Sequence, residues 1–221
     1  MRHPTIAREK TARRSGRTSP GEGGPPVIGL LGGVAAGKTT VAEMLARLGA
    51  AVVSADRLGH AALARPGVRR RIVARWGKGV LDNSGRVDRR LLAARVFGCP
   101  GELAALEAIT HPAILAGLGR AVGAARRAGA PAIVLDAPLL METGLEAVCD
   151  VLVFVDCPRA ARLARAAAER GWDRAELARR EGCQRPLKAK RARAHYIIRN
   201  NGRVEATFQQ VKELWQEILA R

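Results

Sequence analysis

The feature that most limits the fold is a set of short runs that are apolar at every position. The runs are four or five residues long, are apolar on both parities, and cover residues 27–31, 50–53, 132–135 and 151–155. A strand with one wet face alternates polar and apolar residues, so runs without alternation predict strands covered on both faces of a parallel sheet. Ile197 and Ile198 predict a fifth strand.

Helix-forming stretches lie between these runs. They cover residues 41–48, 89–96, 102–109, 114–128 and 159–170, followed by a closing helix with apolar residues at helical spacing from Val204 to Leu219. Strands that alternate with helices indicate a doubly wound α/β sheet. The connection between the second and third strands is far too long for a plain crossover, which predicts an inserted helical domain over residues 58–129.

The composition is that of a folded protein, with 48% hydrophobic and 26% charged residues. No apolar run approaches the roughly 18 to 20 residues that a membrane span needs. Aromatic residues make up only 3%, which argues against a base-stacking RNA-recognition sheet. The four cysteines form no C-x-x-C pair, so we expect neither a zinc site nor a disulfide framework, and the pattern is typical of the reducing cytoplasm.

The formal net charge of +18 predicts anionic partners, which include nucleic acids, phosphorylated metabolites and acidic surfaces. Part of this charge lies in residues 1–26, a basic stretch with few large apolar side chains that ends in proline and glycine. We expect this stretch to be a disordered tail. Its composition also fits an organelle transit peptide, whereas it lacks the apolar segment of a secretory signal.

A glycine-rich motif follows the first predicted strand and precedes the first predicted helix. It reads Gly32-Gly33-Val34-Ala35-Ala36-Gly37-Lys38-Thr39 and matches G-x-x-x-x-G-K-[ST], the pattern of a phosphate-binding loop. Its backbone N–H groups and the positive end of the helix dipole are expected to bind the phosphates of a nucleotide. Lys38 should reach the β- and γ-phosphates, and the hydroxyl of Thr39 should bind Mg²⁺.

Two aspartates follow predicted strands at the edge where ligands of open α/β sheets bind. Asp56, after the second strand, could accept a proton from an attacking hydroxyl or help to hold Mg²⁺ through water. It could equally be the N-cap of a helix that starts near Arg57. For Asp136, after the third strand, we expect a contact to Mg²⁺ through water.

Across residues 27 to 220 the chain resembles the dephospho-CoA kinases, a family of phosphate-loop kinases. The segments that carry the resemblance are Ile28-Gly29-Leu30-Leu31-Gly32-Gly33, Gly37-Lys38-Thr39-Thr40, Ser54-Ala55-Asp56, Gly85-Arg86-Val87-Asp88-Arg89, His111-Pro112-Ala113-Ile114, Asp136-Ala137-Pro138-Leu139-Leu140-Met141-Glu142, Gln184, Pro186-Leu187, Lys190 and Asn200-Asn201-Gly202. The H-P-x-I and D-x-P-L-L-x-E blocks are more diagnostic of the family than the phosphate-binding loop, which many enzymes share.

The resemblance implies a five-stranded parallel sheet with an inserted acceptor domain and a lid. The implied nucleotide-binding core is 27–57, 130–160 and 195–221, with the acceptor domain at 58–129 and the lid at 161–194. The implied reaction transfers the γ-phosphoryl group of ATP to the 3′-hydroxyl of dephospho-CoA, with Asp56 as base. We expect a cytoplasmic monomer or small homo-oligomer that uses ATP and Mg²⁺ and has no membrane or specific nucleic-acid partner.

The resemblance also assigns site residues by position. The ATP-binding residues are Gly33, Val34, Ala35, Ala36, Gly37, Lys38, Thr39, Thr40, Arg165 and Asn200. The acceptor-binding residues are Asp56, Arg89, His111 and Leu139. The lid residues are Arg165, Arg170, Arg180, Gln184 and Lys190.

Departures from the family pattern fall at Ala35, Ser54 and Glu169, where the family usually has Gly, Asp and a lid Arg. An alanine at position 35 is penalised if its φ is positive. The rival interpretations are another small-molecule kinase, acting on a nucleoside monophosphate or gluconate, and a basic nucleic-acid-binding protein.

Overall fold

The computed structural model describes residues 7–8, 24–96 and 99–220 of the chain. Its strands are β1 (Ala7–Arg8), β2 (Val27–Gly32), β3 (Ala51–Ser54), β4 (Ile133–Asp136), β5 (Val151–Asp156) and β6 (Tyr196–Arg199). Its helices are α1 (Lys38–Arg47), α2 (Ala55–Leu63), α3 (Pro66–Trp76), α4 (Arg89–Val96), α5 (Pro100–Arg127), α6 (Arg159–Arg170), α7 (Arg174–Gly182), α8 (Leu187–Arg193) and α9 (Val204–Leu219). Short 3-10 helices lie at Lys78–Val80 and Leu145–Val148.

The predicted five-stranded parallel sheet is confirmed. The strand order is β1-β6-β5-β2-β4-β3, which places β2 in the middle, with Ile28 opposite Val134 of β4 and Val151 of β5. All six residues of β2 are buried. This is the reason for its unbroken apolar sequence, because helices cover both faces of a parallel sheet.

A two-residue strand from the N-terminal segment joins the edge of the sheet. Ala7 lies opposite Ile197 and Arg8 opposite Tyr196, antiparallel to β6. The predicted disordered tail covers 1–26, and most of that prediction, at 1–6 and 9–23, lies outside the described residues.

The chain divides into two compact units. One contains the described residues up to Val53 together with those from Ala125 onward, and the other is Ser54–Ala124. In the first unit, α1 and α9 pack against each other and against the sheet, with Trp215 in the core. The core residues of the second unit are Val68, Ile72, Val80, Leu92, Val96 and Ile109.

The predicted helices 89–96 and 159–170 have the observed bounds of α4 and α6. The two helices predicted for 102–109 and 114–128 are wrong, because α5 is one helix with Pro112 inside it. Proline removes one backbone hydrogen bond, but apolar residues on both sides of it, such as Ile109 and Leu118, remain buried and favour continuation. Within the described residues, no helix combines the length and the apolar character that crossing a membrane requires.

Candidate active site

The loop between β2 and α1 has the backbone that its glycines predict. Gly37 caps α1 with a φ of 88°, and a Cβ at this position would overlap Nδ2 of Asn200. The N–H of Ala36 donates to the carbonyl of Gly33 at 3.3 Å and closes the turn. The N-terminus of α1 therefore follows directly after a tight loop, as in phosphate-binding sites.

Ala35 in this loop has a φ of 57°. This value lies in the left-handed region, where an alanine is less stable than a glycine by roughly 1 to 2 kcal/mol. The conditional expectation that position 35 needs a positive φ is therefore met, and the chain carries some backbone strain at the centre of the loop.

The side chain of Lys38 turns back onto the loop. Its Nζ donates to the carbonyl of Gly33 at 2.9 Å and is 3.4 Å from that of Gly32. Burial, followed by the positive charge of Lys190, lowers the pKa of Lys38 from 10.5 to about 8. The carboxylates of Asp136 and Glu142 oppose this shift. An ammonium group that has lost much of its water is suited to bind an anion.

Thr39 and Asp136 lie side by side, although they come from different segments. The hydroxyl of Thr39, in the first turn of α1, donates to Oδ2 of Asp136 at the end of β4 at 3.2 Å. A hydroxyl oxygen and a carboxylate oxygen are the hard ligands that Mg²⁺ prefers, and one or two protein ligands suffice for it when substrate phosphates and water supply the rest. The residues present therefore fit a Mg²⁺ ion bound together with a nucleotide. Among the described residues, no group of three or more His, Cys, Asp or Glu side chains could hold a metal by itself.

Two of the predicted nucleotide-binding residues lie outside the phosphate-binding loop and donate hydrogen bonds to its backbone. Asn200, after β6, donates from Nδ2 to the carbonyl of Ala36 at 2.8 Å and accepts from the hydroxyl of Thr207. Arg165 of α6 donates to the carbonyl of Asn200 at 2.9 Å and is 3.4 Å from that of Ala36. The structure thus brings Arg165, Asn200 and the loop together.

Sequence reasoning missed Arg162, one turn before Arg165 on α6. Its guanidinium is buried, donates to the carbonyls of Val34 and Cys157, and forms an ion pair with Glu181 of α7. The i, i+3 spacing of Arg162 and Arg165 places both on one helix face and was the available signal. Because residues 159–193 contain many other arginines, this spacing did not distinguish Arg162 from them.

Gln184 and Lys190, predicted for the lid, contact the turn after β4. Nε2 of Gln184 donates to the carbonyl of Pro138 at 3.0 Å, and Nζ of Lys190 is 2.8 Å from Oε1 of Glu142. Lys190 is buried, and its helix α8 packs against β2 and β5. Lys190 therefore occupies an interior position within the predicted 161–194 segment.

Arg170 and Arg180, two more predicted lid residues, lie against Trp172. Their guanidinium carbons are 4.7 Å and 3.9 Å from the centroid of its ring, and Arg180 also pairs with Glu176. Both arginines are exposed, as is Glu169, where the family usually has an arginine. In this structure both side chains therefore contact Trp172 in the α6–α7 turn.

Asp56 lies in the first turn of α2, within the Ser54–Ala124 unit. Its alternative role as an N-cap is wrong, because the hydroxyl of Ser54 caps this helix and accepts from the N–H of Arg57 at 3.3 Å. The exposed Asp56 carboxylate makes no hydrogen bond or ion pair with the other described residues of its unit. It is therefore available as a proton acceptor.

The remaining predicted acceptor residues have varied surroundings. Arg89, exposed, is the first residue of α4, and the carboxylate of Asp88 caps that helix. His111 is half-buried inside α5. Leu139 is exposed in the turn after β4, and Thr40 is exposed on α1.

Comparison with known proteins identifies the family. The family model described as dephospho-CoA kinase matches residues 26–206. A dephospho-CoA kinase of Geobacter sulfurreducens is 39% identical over 191 residues, which are 86% of this chain and 96% of the relative. One of Symbiobacterium thermophilum is 42% identical over 192 residues, which are 86% of this chain and 80% of the relative.

Two solved structures share the fold of this chain. A crystal structure of a protein from Thermus thermophilus is 34% identical and matches with a TM-score of 0.77, covering 88% of this chain and 98% of that one. The dephospho-CoA kinase from Campylobacter jejuni, at 22% identity and a TM-score of 0.58, shares the fold over 88% of this chain and 97% of its own. From the match over residues 26–206 and the relatives of about 40% identity, we conclude that this chain belongs to the dephospho-CoA kinase family.

Proposed function

We propose that this protein transfers the γ-phosphoryl group of ATP to the 3′-hydroxyl of the ribose of dephospho-CoA, which gives coenzyme A and ADP in the last step of coenzyme A biosynthesis. The observation that carries the proposal is the match to the dephospho-CoA kinase family over residues 26–206. The phosphate-binding loop with Lys38, and the adjacent pair of Thr39 and Asp136, supply the chemical means.

The nucleotide is bound by residues 33–40 in this proposal. Backbone N–H groups of the loop and the N-terminus of α1 bind the phosphates, and Lys38 exchanges its bonds to loop carbonyls for bonds to phosphate oxygens. The negative charge of the phosphates raises the pKa of Lys38 again, so the residue acts as a full positive charge. Arg165 and Asn200 keep the loop in shape through the carbonyl of Ala36.

Thr39 would hold Mg²⁺ directly, and Asp136 would contact the ion through water, when the nucleotide is bound. The ion supplies positive charge that offsets the charge on the transferring phosphoryl group. The contribution of the chain is to place the Thr39 hydroxyl, in the first turn of α1, next to the Asp136 carboxylate at the end of β4.

The acceptor is bound by Asp56, Arg89, His111 and Leu139, with residues 58–129 as the acceptor domain and 161–194 as the lid. Asp56 orients the 3′-hydroxyl and takes its proton, for which its exposed carboxylate is suited. Lid closure would exclude water and so protect ATP from hydrolysis. We place the reaction in the cytoplasm, since the cysteines are free thiols, in a monomer or a small homo-oligomer.

A panel of acceptors tests the function. ADP release should be measured with purified protein, ATP and Mg²⁺, and with dephospho-CoA, AMP or gluconate as acceptor. We expect turnover with dephospho-CoA and a product phosphorylated at the ribose 3′ position, identified by mass spectrometry and phosphorus NMR. Turnover with AMP or gluconate and none with dephospho-CoA would contradict the proposal.

A further inference from the structure

A buried ion pair links α8 to the turn after β4. Nζ of Lys190 is 2.8 Å from Oε1 of Glu142, and the side chains are only 2% and 13% exposed. The same carboxylate oxygen accepts from the N–H of Arg185 at 2.7 Å, whereas Oε2 of Glu142 is buried without a hydrogen-bond partner in the described part of the chain. Apolar residues of similar volume often give equal or greater stability than a buried ion pair. Stability alone is therefore a weak explanation for this pair.

The position of the pair relates it to the phosphate-binding loop. Helix α8 packs against β2, the strand that leads into the loop. Asp136, at the end of the strand that precedes Glu142, accepts from the hydroxyl of Thr39, and Arg191, next to Lys190, is 3.4 Å from Asp156 at the end of β5. Helix α8 with Lys190 therefore lies at the edge of the sheet where β2 leads into the phosphate-binding loop.

We propose that Lys190 and Glu142 are positioning residues, in which Glu142 fixes the ammonium group of Lys190 as a second, permanent positive charge beside the phosphate-binding loop. Phosphoryl transfer depends mainly on fixed charges that face the transferring group, and such charges act strongly where water is excluded. Lys190 acts from its buried position on the nucleotide phosphates bound next to Lys38. The expected change in kcat rests on the proposed function, whereas the expected change in nucleotide affinity requires only that the loop binds a nucleotide.

A double variant separates charge from packing. In Lys190→Met/Glu142→Gln both charges are lost, but Met fills the volume of the lysine stem and the Gln carbonyl can still accept from the N–H of Arg185. Each single variant should lower the melting temperature, because it leaves a buried charge without its partner. The double variant should recover most of this loss.

The kinetic result then decides between a positioning and a merely structural role. We expect the double variant to melt close to wild type, yet to have a kcat about 10- to 100-fold lower and a largely unchanged KM for dephospho-CoA. Lys188→Met is the matched control, since Lys188 is an exposed lysine on the same helix, and it should leave kcat unchanged. A double variant with restored stability and wild-type kcat would overturn the proposal.

Nucleotide binding supplies a readout that does not depend on the acceptor. Calorimetric titration with a non-hydrolysable ATP analogue and Mg²⁺ should give weaker binding to the double variant than to wild type or Lys188→Met. If wild type does not phosphorylate dephospho-CoA but the double variant binds the analogue more weakly, the proposed function fails and the role of the pair stands. If wild type is active and the double variant matches it in both kcat and analogue affinity, the pair has no such role and the function stands.

Discussion

Lys38 shows how the surroundings of one residue set its protonation. Its folded-state pKa of about 8 lies below the ordinary 10.5, chiefly because of burial. The unfolded chain therefore binds more protons than the folded one between these two pH values, and the free energy of unfolding should rise as the pH increases from about 8 to 10.5. Lys38→Met should remove this rise and stabilise the nucleotide-free protein at pH 7 by up to about 3 kcal/mol. Urea unfolding of both proteins across this pH range measures the difference, and equal pH dependence would contradict the assignment.

Asp56 is the residue on which the proposed proton transfer depends. Its carboxylate is exposed, and Ser54 has already taken the capping role in this helix. Asp56→Asn preserves size and helix position but removes the base, so we expect kcat to fall by about 10² to 10⁴ while the affinity for ATP is retained. Steady-state kinetics and equilibrium nucleotide binding test the two halves separately. Turnover near the wild-type rate would show that another group takes the proton.

At the scale of elements, burial decides what the sequence could predict. The strand β2 and the helix α9 were predictable, because one is buried at every position and the other buries a stripe at helical spacing. The short helix α8 was not located, because the residue that it buries is a lysine, Lys190, which sequence patterns assign to solvent. Its counter-charge, Glu142, is distant in sequence, so only the folded chain reveals the pair.

The site was predictable where one segment carries it and unpredictable where contacts join distant segments. The phosphate-binding loop is predictable from its own glycine-rich motif. The same motif raises the question of a positive φ at Ala35, which the structure shows. The role of Arg162 depends on the carbonyl of Val34, 128 residues earlier, and on Glu181 of the next helix. Local spacing holds no information on such partners.

The unbroken helix α5 leads to a prediction about stability. Pro112 cannot donate a backbone hydrogen bond in the helix interior and is disfavoured relative to alanine by about 3 kcal/mol. Because its side chain is exposed, Pro112→Ala should raise the free energy of unfolding by about 1 to 3 kcal/mol. Gly119→Ala calibrates the experiment, since a Cβ there meets open space in the same helix and should add about 1 kcal/mol. If Pro112→Ala is destabilised while Gly119→Ala is stabilised, contacts of the proline ring contribute more to stability than the missing hydrogen bond costs.

At the scale of the whole molecule, the net charge of +18 should act on the encounter with anionic substrates. ATP and dephospho-CoA carry several negative charges, and a positively charged protein attracts them over long distances. Dissolved salt weakens this attraction by screening the charges. This long-range attraction acts on small anionic substrates in the same way as on larger polyanions. We expect the attraction to raise the rate of substrate capture and not the rate of the chemical step, because that step depends on fixed charges inside the site.

Salt should therefore change kcat/KM and leave kcat nearly constant. Between 50 mM and 500 mM potassium acetate we expect kcat/KM for dephospho-CoA to fall several-fold, provided that substrate capture limits this parameter. A variant that lacks residues 1–23 loses six basic and two acidic residues and should show a shallower decline, because the attraction scales with net charge. Initial rates at matched viscosity give both parameters for the two proteins. An equal decline in kcat would place the salt effect inside the site, and identical slopes for the two proteins would show that the N-terminal charges do not take part in capture.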